Sequence, residues 1–228
     1  MAKINMKIFT IIKEESKRIP NKNFTDLNGH PLWWYLLSEL KGLDVTVNTD
    51  SPKFIKQLQK SDLKKIQVIE RDQKYIDWEN DESIDASPVE DMLFDFCKKI
   101  DRSDIVVLTH ITSPFLKKKT IFDAVHMLQK DQNAKSIHSI LKIQDFIWLN
   151  KDNKANPVNF YPDRVQRTQD LSPIFVSKGA FFIAKAGDIL DQKKRLPEPL
   201  IFFPLNHVEG VEIDNFDDLE FARLLKGR

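Results

Sequence analysis

Short runs of strand-forming apolar residues alternate with amphipathic stretches along the first 140 residues, and this alternation constrains the fold more than any other feature of the chain. The predicted strands of this region are Met6–Ile12, Asp44–Asn48, Lys65–Glu70, Asp104–His110 and Ser136–Ile140. Helices are predicted to begin between them at Pro31, Ser51, Ser87 and Thr120. Strands separated by helices of about ten residues imply right-handed crossovers. The predicted fold class is therefore α/β, a mostly parallel sheet with helices on both faces.

The alternation breaks between residues 142 and 178, and this segment is predicted to be an insert on the sheet. Arg71–Ala86 is acidic, has little periodicity and is predicted to be a loop. Regular elements are expected to return with strands at Gly179–Ala184, Leu200–Leu205 and Val211–Ile213 and a last helix at Phe216–Leu225. Because no linker rich in Gly, Ser or Pro divides the chain, we expect residues 1–228 to form a single domain.

Charge and composition narrow the classes of partner. The 35 basic and 34 acidic residues nearly cancel, so nothing global indicates a nucleic-acid or membrane partner. No apolar run reaches the roughly 18–20 residues of a membrane span, and the N-terminus lacks the pattern of a signal peptide, so a cytoplasmic location is expected. The one cysteine, Cys97, has no partner for an intrachain disulfide and is expected to be buried.

The stretch KEESKRIPNKN, residues 13–23, follows the first predicted strand and carries four cations. In that position backbone amides and flexible cations can surround a triphosphate. Glu14 and Glu15 would repel such a ligand, so we expect their side chains to turn outward, toward Arg18 or solvent, while their amides face the phosphates. A solvated charged loop is the alternative, and no Walker pattern is present.

An acidic pair stands near the C-terminus. Glu212 and Asp214 are two residues apart, so on an extended strand both carboxylates project from the same face. Hard oxygen ligands that leave room for water and phosphate oxygens are what Mg²⁺ prefers. The spacing thus predicts a magnesium site, with an exposed acidic strand end as the alternative.

Several motifs occur in a recognisable order along nearly the whole chain. They are SKRIPNKN, LNGHPL, VTVNTD, DASP (Asp85–Pro88), THITSP, RTQDLSP, KGAFFI and VEID. Together they resemble the acylneuraminate cytidylyltransferase family, the CMP-sialic acid synthetases and their relatives. The resemblance implies a Rossmann-like nucleotidyltransferase fold and a CTP-dependent reaction in surface glycan biosynthesis. In that reaction the anomeric hydroxyl of a 2-keto acid sugar attacks the α-phosphate of CTP and pyrophosphate is released. It also implies Mg²⁺ and a homodimer in which the insert reaches the neighbouring subunit.

The same resemblance implies roles for individual residues. The nucleotide would be bound by Lys13, Ser16, Asn23, Arg71, Ser87, Thr112 and Ser113. Catalysis would depend on Lys17, Lys22, His110 and Arg167. The acidic sugar would be bound by Arg164, Arg167 and Lys178, and the metal by Glu212 and Asp214. Simpler structural roles remain open for many of these: surface arginines, a helix start at Ser87, and a structural histidine at His110.

Five positions depart from the family pattern. Glu14 and Glu15 replace glycine-like positions, His110 replaces glutamine, Lys178 replaces asparagine and Glu212 replaces aspartate. These departures leave two alternatives open: a homologue that uses another nucleotide or sugar, or one that binds its ligands without turnover.

Overall fold

The computed structural model describes residues 5–63, 65–81, 83–84 and 86–227. Its strands, numbered along the chain, are β1 (Met6–Ile12), β2 (Asp26–Leu27), β3 (His30–Pro31), β4 (Asp44–Thr49), β5 (Gln67–Glu70), β6 (Ile105–Thr109), β7 (Ser136–Ile143), β8 (Trp148–Lys151), β9 (Lys154–Pro157), β10 (Ile174–Lys185) and β11 (Leu200–Pro204). Its helices are α1 (Leu32–Glu39), α2 (Pro52–Lys60), α3 (Gln73–Asn80), α4 (Val89–Cys97), α5 (Lys118–Lys130), α6 (Ala186–Gln192) and α7 (Phe216–Lys226).

Within the described residues, seven strands form one sheet in the order β11-β7-β10-β6-β1-β4-β5. Neighbours pair in parallel except at β10, which is antiparallel to both β6 and β7. The mostly parallel sheet is therefore confirmed. The chain moves from β1 toward β5 and then returns to place β6 on the other side of β1. This reversal creates a crevice at the carboxyl ends of β1 and β6, where open α/β sheets bind ligands.

Two apolar clusters lie on opposite faces of the sheet. Ile8 of β1 contributes to one and the adjacent Phe9 to the other, as the alternation of side chains in a strand requires. Helices α1, α2, α5 and α7 contribute to the first cluster, whereas α3, α4 and α6 contribute to the second. Helices on both faces are thus confirmed, and all five residues of β6 are buried between them.

The helix start predicted from local capping signals is confirmed at α2 but differs in detail at α1 and α4. Ser51 caps α2 by accepting a hydrogen bond from the amide of Phe54, and Pro52 is the first helical residue, as predicted. Pro31 instead pairs in β3 and precedes α1. Ser87 does not cap α4, which begins after Pro88 without a side-chain cap.

Other sequence expectations are wrong in detail. The predicted loop 71–86 contains α3, which Asp72 caps by accepting a hydrogen bond from the Lys74 amide. Val211–Ile213 is not a strand. Its one hydrogen bond to the neighbouring loop runs from the Ile213 amide to the Thr112 carbonyl at 2.8 Å, which is too little to establish a ladder.

The predicted insert is shorter than residues 142–178, because β7 and β10 extend into it and pair with each other. Only long-range pairing stabilises these extensions, so local patterns do not indicate them. Between them, β8 and β9 form a hairpin whose turn places Asp152 and Asn153 at positive φ. Cys97 is fully buried, as expected, and burial raises the pKa of its thiol to about 12. Among the described residues, no helix combines the length and the apolar character needed to span a bilayer.

Candidate active site

The cationic loop after β1 is closed on itself by Asn23. The Asn23 amide nitrogen donates a 3.0 Å hydrogen bond to the carbonyl of Lys13, which joins the two ends of the loop. Asn23 is only 7% exposed, so this amide stabilises the loop from beneath and is not an open surface group. Lys17 and Arg18 stay exposed on the loop, where they can reach a ligand.

A cavity of about 470 Å³ lies between this loop and the carboxyl end of β6. Of the residues predicted to form the site, it brings together Lys13, Ser16, Lys17, Lys22, Asn23, His110 and Thr112. A second hollow of about 510 Å³ shares Lys13, Lys17 and Glu79 with the first and is also lined by Trp78 and Ser87. The two adjoin through these shared residues and together form a recess, lined by cations and carboxylates, at the switch point of the sheet, in the position expected for a ligand. Asp85 of the DASP motif lies outside the described residues.

Arg71 lies beneath this recess and does not face it. Its side chain is fully enclosed, and its nitrogens bond to Asn48 Oδ1 at 3.2 Å, to the Ile12 carbonyl at 3.3 Å and to Glu79 Oε2 at 3.0 Å. Glu79 also pairs with Lys13, whose Nζ lies 2.7 Å from Oε1. Arg71 therefore anchors α3 to the ends of β1 and β4, and through Glu79 it fixes the position of Lys13.

The two glutamates of the loop take different positions, and the expectation for Glu14 is wrong. The Glu14 amide donates to Asp50 Oδ1 at 3.1 Å, and the hydroxyl of Ser51 donates to its carboxylate. This amide therefore bonds within the protein, and the side chain pairs with Ser51, not with Arg18. Glu15 is exposed and lines the 470 Å³ cavity.

His110 stands at the carboxyl end of β6, with Thr112 beside it in the cavity wall. Burial lowers the pKa of His110 to about 4, and the positive charges of Arg195 and Lys22 outweigh the opposing effect of Asp214. The imidazole is consequently neutral at pH 7. Ser113 differs from its neighbour: it is fully buried, and its hydroxyl has no hydrogen-bond partner among the described residues.

A bulge in β10 shapes the floor of the site. The register of β10 against β7 shifts between Ser177 and Phe182. The Ser139 hydroxyl lies 2.6 Å from the carbonyl of Lys178 and accepts a 3.0 Å hydrogen bond from the Phe181 amide. From the other side, Thr109 donates to the Ala180 carbonyl at 2.5 Å. Hydroxyls from both neighbouring strands thus fix the bulge, a feature that typically redirects groups next to active sites.

The predicted metal pair is placed at the edge of this recess, but its two carboxylates have different partners. Asp214 Oδ1 lies 2.8 Å from Arg18 and 3.1 Å from Lys22 Nζ. Glu212 accepts a hydrogen bond from the Gly179 amide at 2.6 Å and lies 3.6 Å from Lys178 Nζ. Burial raises the pKa of Glu212, and the negative charge of Asp214 raises it further against the opposing effects of Gly179 and Lys178.

The arginines of the insert are not brought to this recess. The side chain of Arg167 is 74% exposed and pairs with Asp170 at 2.8 Å, three residues along the chain. Arg164 is also exposed, and within the described chain neither arginine contacts the loop, His110 or Lys178. Lys178 itself lies beside Glu212, as described above.

Three residues near the site were missed by the sequence analysis. Glu79 and Trp78 lie on α3, and the indole N–H of Trp78 is buried without a partner among the described residues. Asp72 followed by a Tyr75–Trp78 spacing is the signal that predicts this helix. Arg195 follows α6, and its guanidinium carbon lies 4.5 Å from the ring centre of Phe182. No local pattern indicates that contact.

Comparison with known proteins decides the family. A family model described as Cytidylyltransferase matches residues 14–178, which is well over half of the chain. The chain belongs to the cytidylyltransferase family. Solved structures agree on the fold: a CMP:2-keto-3-deoxy-manno-octonic acid synthetase complexed with CTP covers 98% of both chains with a TM-score of 0.66 at 16% identity.

Curated members of this family are similar over most of the chain. A CMP-N,N'-diacetyllegionaminic acid synthase from Legionella pneumophila is 29% identical over 92% of this chain and 91% of its own length. A pseudaminic acid cytidylyltransferase from Campylobacter jejuni is 27% identical with the same coverage. An N-acylneuraminate cytidylyltransferase from Streptococcus agalactiae is 25% identical over 89% of this chain. The chain spans about half the length of that streptococcal relative.

Proposed function

We propose that the chain transfers CMP from CTP to the anomeric hydroxyl of an acidic 2-keto sugar and releases pyrophosphate. The observation that carries the proposal is the recess at the carboxyl ends of β1 and β6, where Lys13, Lys17 and Lys22 surround one cavity with His110 on its wall. Family membership and the names of the relatives support CTP as donor and an acidic sugar as acceptor.

The loop cations supply most of the chemistry. Attack by the sugar oxygen forms a bond to the α-phosphorus, the bond to the β-phosphate oxygen breaks, and the hydroxyl proton passes to solvent. Such a transfer requires in-line positioning and neutralised phosphate oxygens more than it requires a covalent nucleophile. Lys17 and Lys22 are placed to neutralise the triphosphate. The nucleoside would occupy the adjoining hollow, which is lined by Trp78 and Ser87.

His110 takes a hydrogen-bonding role in this proposal. An efficient general base has a pKa near the operating pH, whereas the pKa of His110 is lowered to about 4. Its neutral ring can still donate and accept one hydrogen bond each. Through such a hydrogen bond, His110 would orient the acceptor hydroxyl or an α-phosphate oxygen.

Glu212 and Asp214 would hold Mg²⁺, which when bound neutralises charge on the triphosphate oxygens. The donor set fits: these are two hard carboxylates, and burial, with a smaller effect of the Asp214 charge, raises the pKa of Glu212, so a cation beside them would stabilise the charged form. No cluster of three or more metal-binding side chains exists among the described residues, so phosphate and water would complete the coordination. Calorimetry of Mg²⁺ with Asp214→Asn in the presence of CTP tests this, and unchanged Mg²⁺ binding would refute it.

We also propose a homodimer formed through the insert. The hairpin region exposes apolar side chains that are each more than half accessible: Trp148, Leu149, Val158, Tyr161 and Val165. Clustered exposed apolar side chains are typical of interaction surfaces, which supports the proposal. A second copy of the chain would cover it and would carry Arg164 and Arg167, which lie away from their own recess, toward the neighbouring site.

Sedimentation velocity tests the dimer with a matched pair of variants. Trp148→Lys is expected to yield monomers, whereas Leu224→Lys, at a similarly exposed apolar position on α7, leaves the dimer intact. A wild-type monomer at micromolar concentration contradicts the proposal.

Two contacts favour a second candidate, a homologue that binds its ligands without turnover. Glu79 pairs with Lys13, and Asp214 pairs with Lys22, so internal carboxylates already neutralise two of the cations of the site. Incubation with CTP, Mg²⁺ and the acids named in the relatives separates the two candidates. Pyrophosphate release establishes transfer, and CTP binding without release establishes the binding protein. The reaction would take place in the cytoplasm, where CTP is available.

A further inference from the structure

We propose that Arg195 determines acceptor specificity by binding the carboxylate of the acidic sugar beside His110. This role rests on the proposed transfer function. It assigns to an arginine of the same chain the contact that the sequence alone predicts for Arg167.

The guanidinium of Arg195 packs on an aromatic row that reaches His110 in the wall of the site. Its central carbon lies 4.5 Å from the ring centre of Phe182, which is itself buried in β10. The edge of Phe182 meets the His110 ring at 5.9 Å, and its face stacks on His138 at 4.5 Å. Arg195 is therefore separated from His110, a residue of the cavity wall, by a single ring.

The segment that carries Arg195 is fixed before any ligand arrives. Gln192, at the end of α6, donates to the Glu198 carbonyl at 2.7 Å and accepts from the Glu198 amide at 2.8 Å. These two bonds close the loop between α6 and β11. Leu196, the next residue, packs against the apolar cluster on the same face of the sheet. The backbone on both sides of Arg195 is thus anchored, which reduces the entropy lost on binding.

In this position the guanidinium of Arg195 can still bind a ligand. Its side chain is 40% exposed, and its one ion pair joins Nε to Glu90 Oε1 at 3.5 Å. Among the described residues, its two terminal nitrogens have no partner. A guanidinium over an aromatic ring can still use such terminal nitrogens, whose planar fork matches a carboxylate.

The other cations near the acceptor side are less suited to this contact. Lys178 lies beside Glu212, and Lys22 bonds to Asp214 and to the Ile213 carbonyl. Arg167 pairs with Asp170 on the surface of the insert. Arg195 is the arginine that combines a fixed position next to His110 with unpaired nitrogens in the described chain.

The test is steady-state kinetics, followed by pyrophosphate release, on the full chain with CTP and Mg²⁺. The acceptors are N-acetylneuraminate and 2-keto-3-deoxy-manno-octonic acid, and the methyl ester of the better one serves as a probe without the carboxylate charge. Arg195→Gln is expected to raise the acceptor KM about 10- to 100-fold, as loss of a charged hydrogen-bonded pair does, and to change the affinity for CTP less than about twofold. The ester is expected to show little difference between wild type and Arg195→Gln.

Two further variants separate recognition from a structural role. Arg195→Lys keeps the charge and is expected to restore part of the acceptor affinity. Glu90→Gln removes the ion pair but leaves Arg195 in place, and is expected to behave as wild type. An unchanged acceptor KM in Arg195→Gln, equal losses for CTP and acceptor, or a Glu90→Gln variant that reproduces the Arg195 defect would overturn the inference while transfer itself stands. A wild-type protein that binds CTP but releases no pyrophosphate with any of the acidic sugars named in the relatives refutes the transfer function, and this role with it.

Discussion

The amide of Gly179 donates a 2.6 Å hydrogen bond to Oε1 of Glu212. The bond connects the bulge of β10 to the acidic segment before α7, and a side chain at position 179 would crowd it. A Cβ at position 179 would lie 2.7 Å from Glu212 Oε1 and 3.3 Å from His110 Cδ2. Because position 179 has no side chain, the Glu212 carboxylate and the His110 imidazole can both lie close to its backbone.

Gly179→Ala is expected to lower kcat/KM at least about tenfold, ~1.4 kcal/mol, because the added methyl group displaces Glu212 or His110. The control is Gly227→Ala, where a Cβ would meet nothing closer than 3.5 Å. Kinetics and thermal unfolding are measured on both. Wild-type turnover in Gly179→Ala would show that the positions of these two side chains do not matter for the reaction.

Lys17→Ala and Lys22→Ala are each expected to cost at least about tenfold in turnover, roughly 1.4 kcal/mol, because each removes a charge directed at phosphate. Lys22→Ala also frees Asp214, so its effect on Mg²⁺ dependence is expected to be the larger of the two. Lys56→Ala, at an exposed position on α2, is the charge-matched control. If both loop variants match that control in turnover, the loop does not bind the triphosphate.

Substitution of the two loop glutamates is expected to affect different properties, CTP binding for Glu15 and stability for Glu14. Glu15→Gln removes a negative charge from the cavity wall and tightens CTP binding, because a carboxylate about 4 Å from a phosphate costs roughly 4 kcal/mol at an effective dielectric of 20. Glu14→Gln weakens the contact with Ser51, the cap of α2, and lowers stability without tightening CTP. Calorimetry at low and moderate salt measures both. Weaker CTP binding in Glu15→Gln would mean that the carboxylate helps the ligand.

The parts of the fold with strong local signals are predictable from the sequence, and the parts held by distant contacts are not. The run Ile105–Thr109 is apolar throughout, so its burial between two helical layers follows from composition. The antiparallel direction of β10 depends on its pairing with β6 and β7, and its bulge depends on Ser139 and Thr109, all of which lie far from it in sequence. No periodicity within 174–185 indicates them.

In the candidate site, too, residues with a strong local signal are predictable from the sequence, and residues placed by distant contacts are not. The loop 13–23 is predictable because a cationic segment directly follows a buried strand. Arg71 and Arg195 are not, because one is enclosed by Glu79 and Asn48 and the other is placed by Phe182, all through tertiary contacts. The charge of an arginine and its local sequence do not show whether its side chain will be a buried anchor or an exposed group that can bind a ligand.

Acid is expected to loosen the helix that forms one wall of the recess. Tyr75 of α3 donates a 2.5 Å hydrogen bond to Asp95 of α4, and Lys98, Tyr75 and Lys74 hold the pKa of Asp95 well below its usual range. Because the folded-state pKa is depressed, this stabilisation is fully present above the unfolded-state value of about 3.9 and is lost as the pH falls through the folded-state value. Asp95→Asn should cost about 1 kcal/mol at pH 7, since the pair is partly exposed, and progressively less below pH 4. Urea unfolding at pH 7, 4 and 3 measures the difference, and a pH-independent difference would contradict this cause.

The most direct test of the account is ³¹P nuclear magnetic resonance of the protein incubated with CTP, Mg²⁺ and each of the acidic sugars named in the relatives. The account predicts that one acceptor yields a CMP-sugar phosphodiester and pyrophosphate in equal amounts, that CTP is used in preference to UTP, and that Lys22→Ala suppresses both products together. Conversion with another nucleotide in place of CTP, or CTP that stays intact with every acceptor while calorimetry shows that it binds, would contradict it.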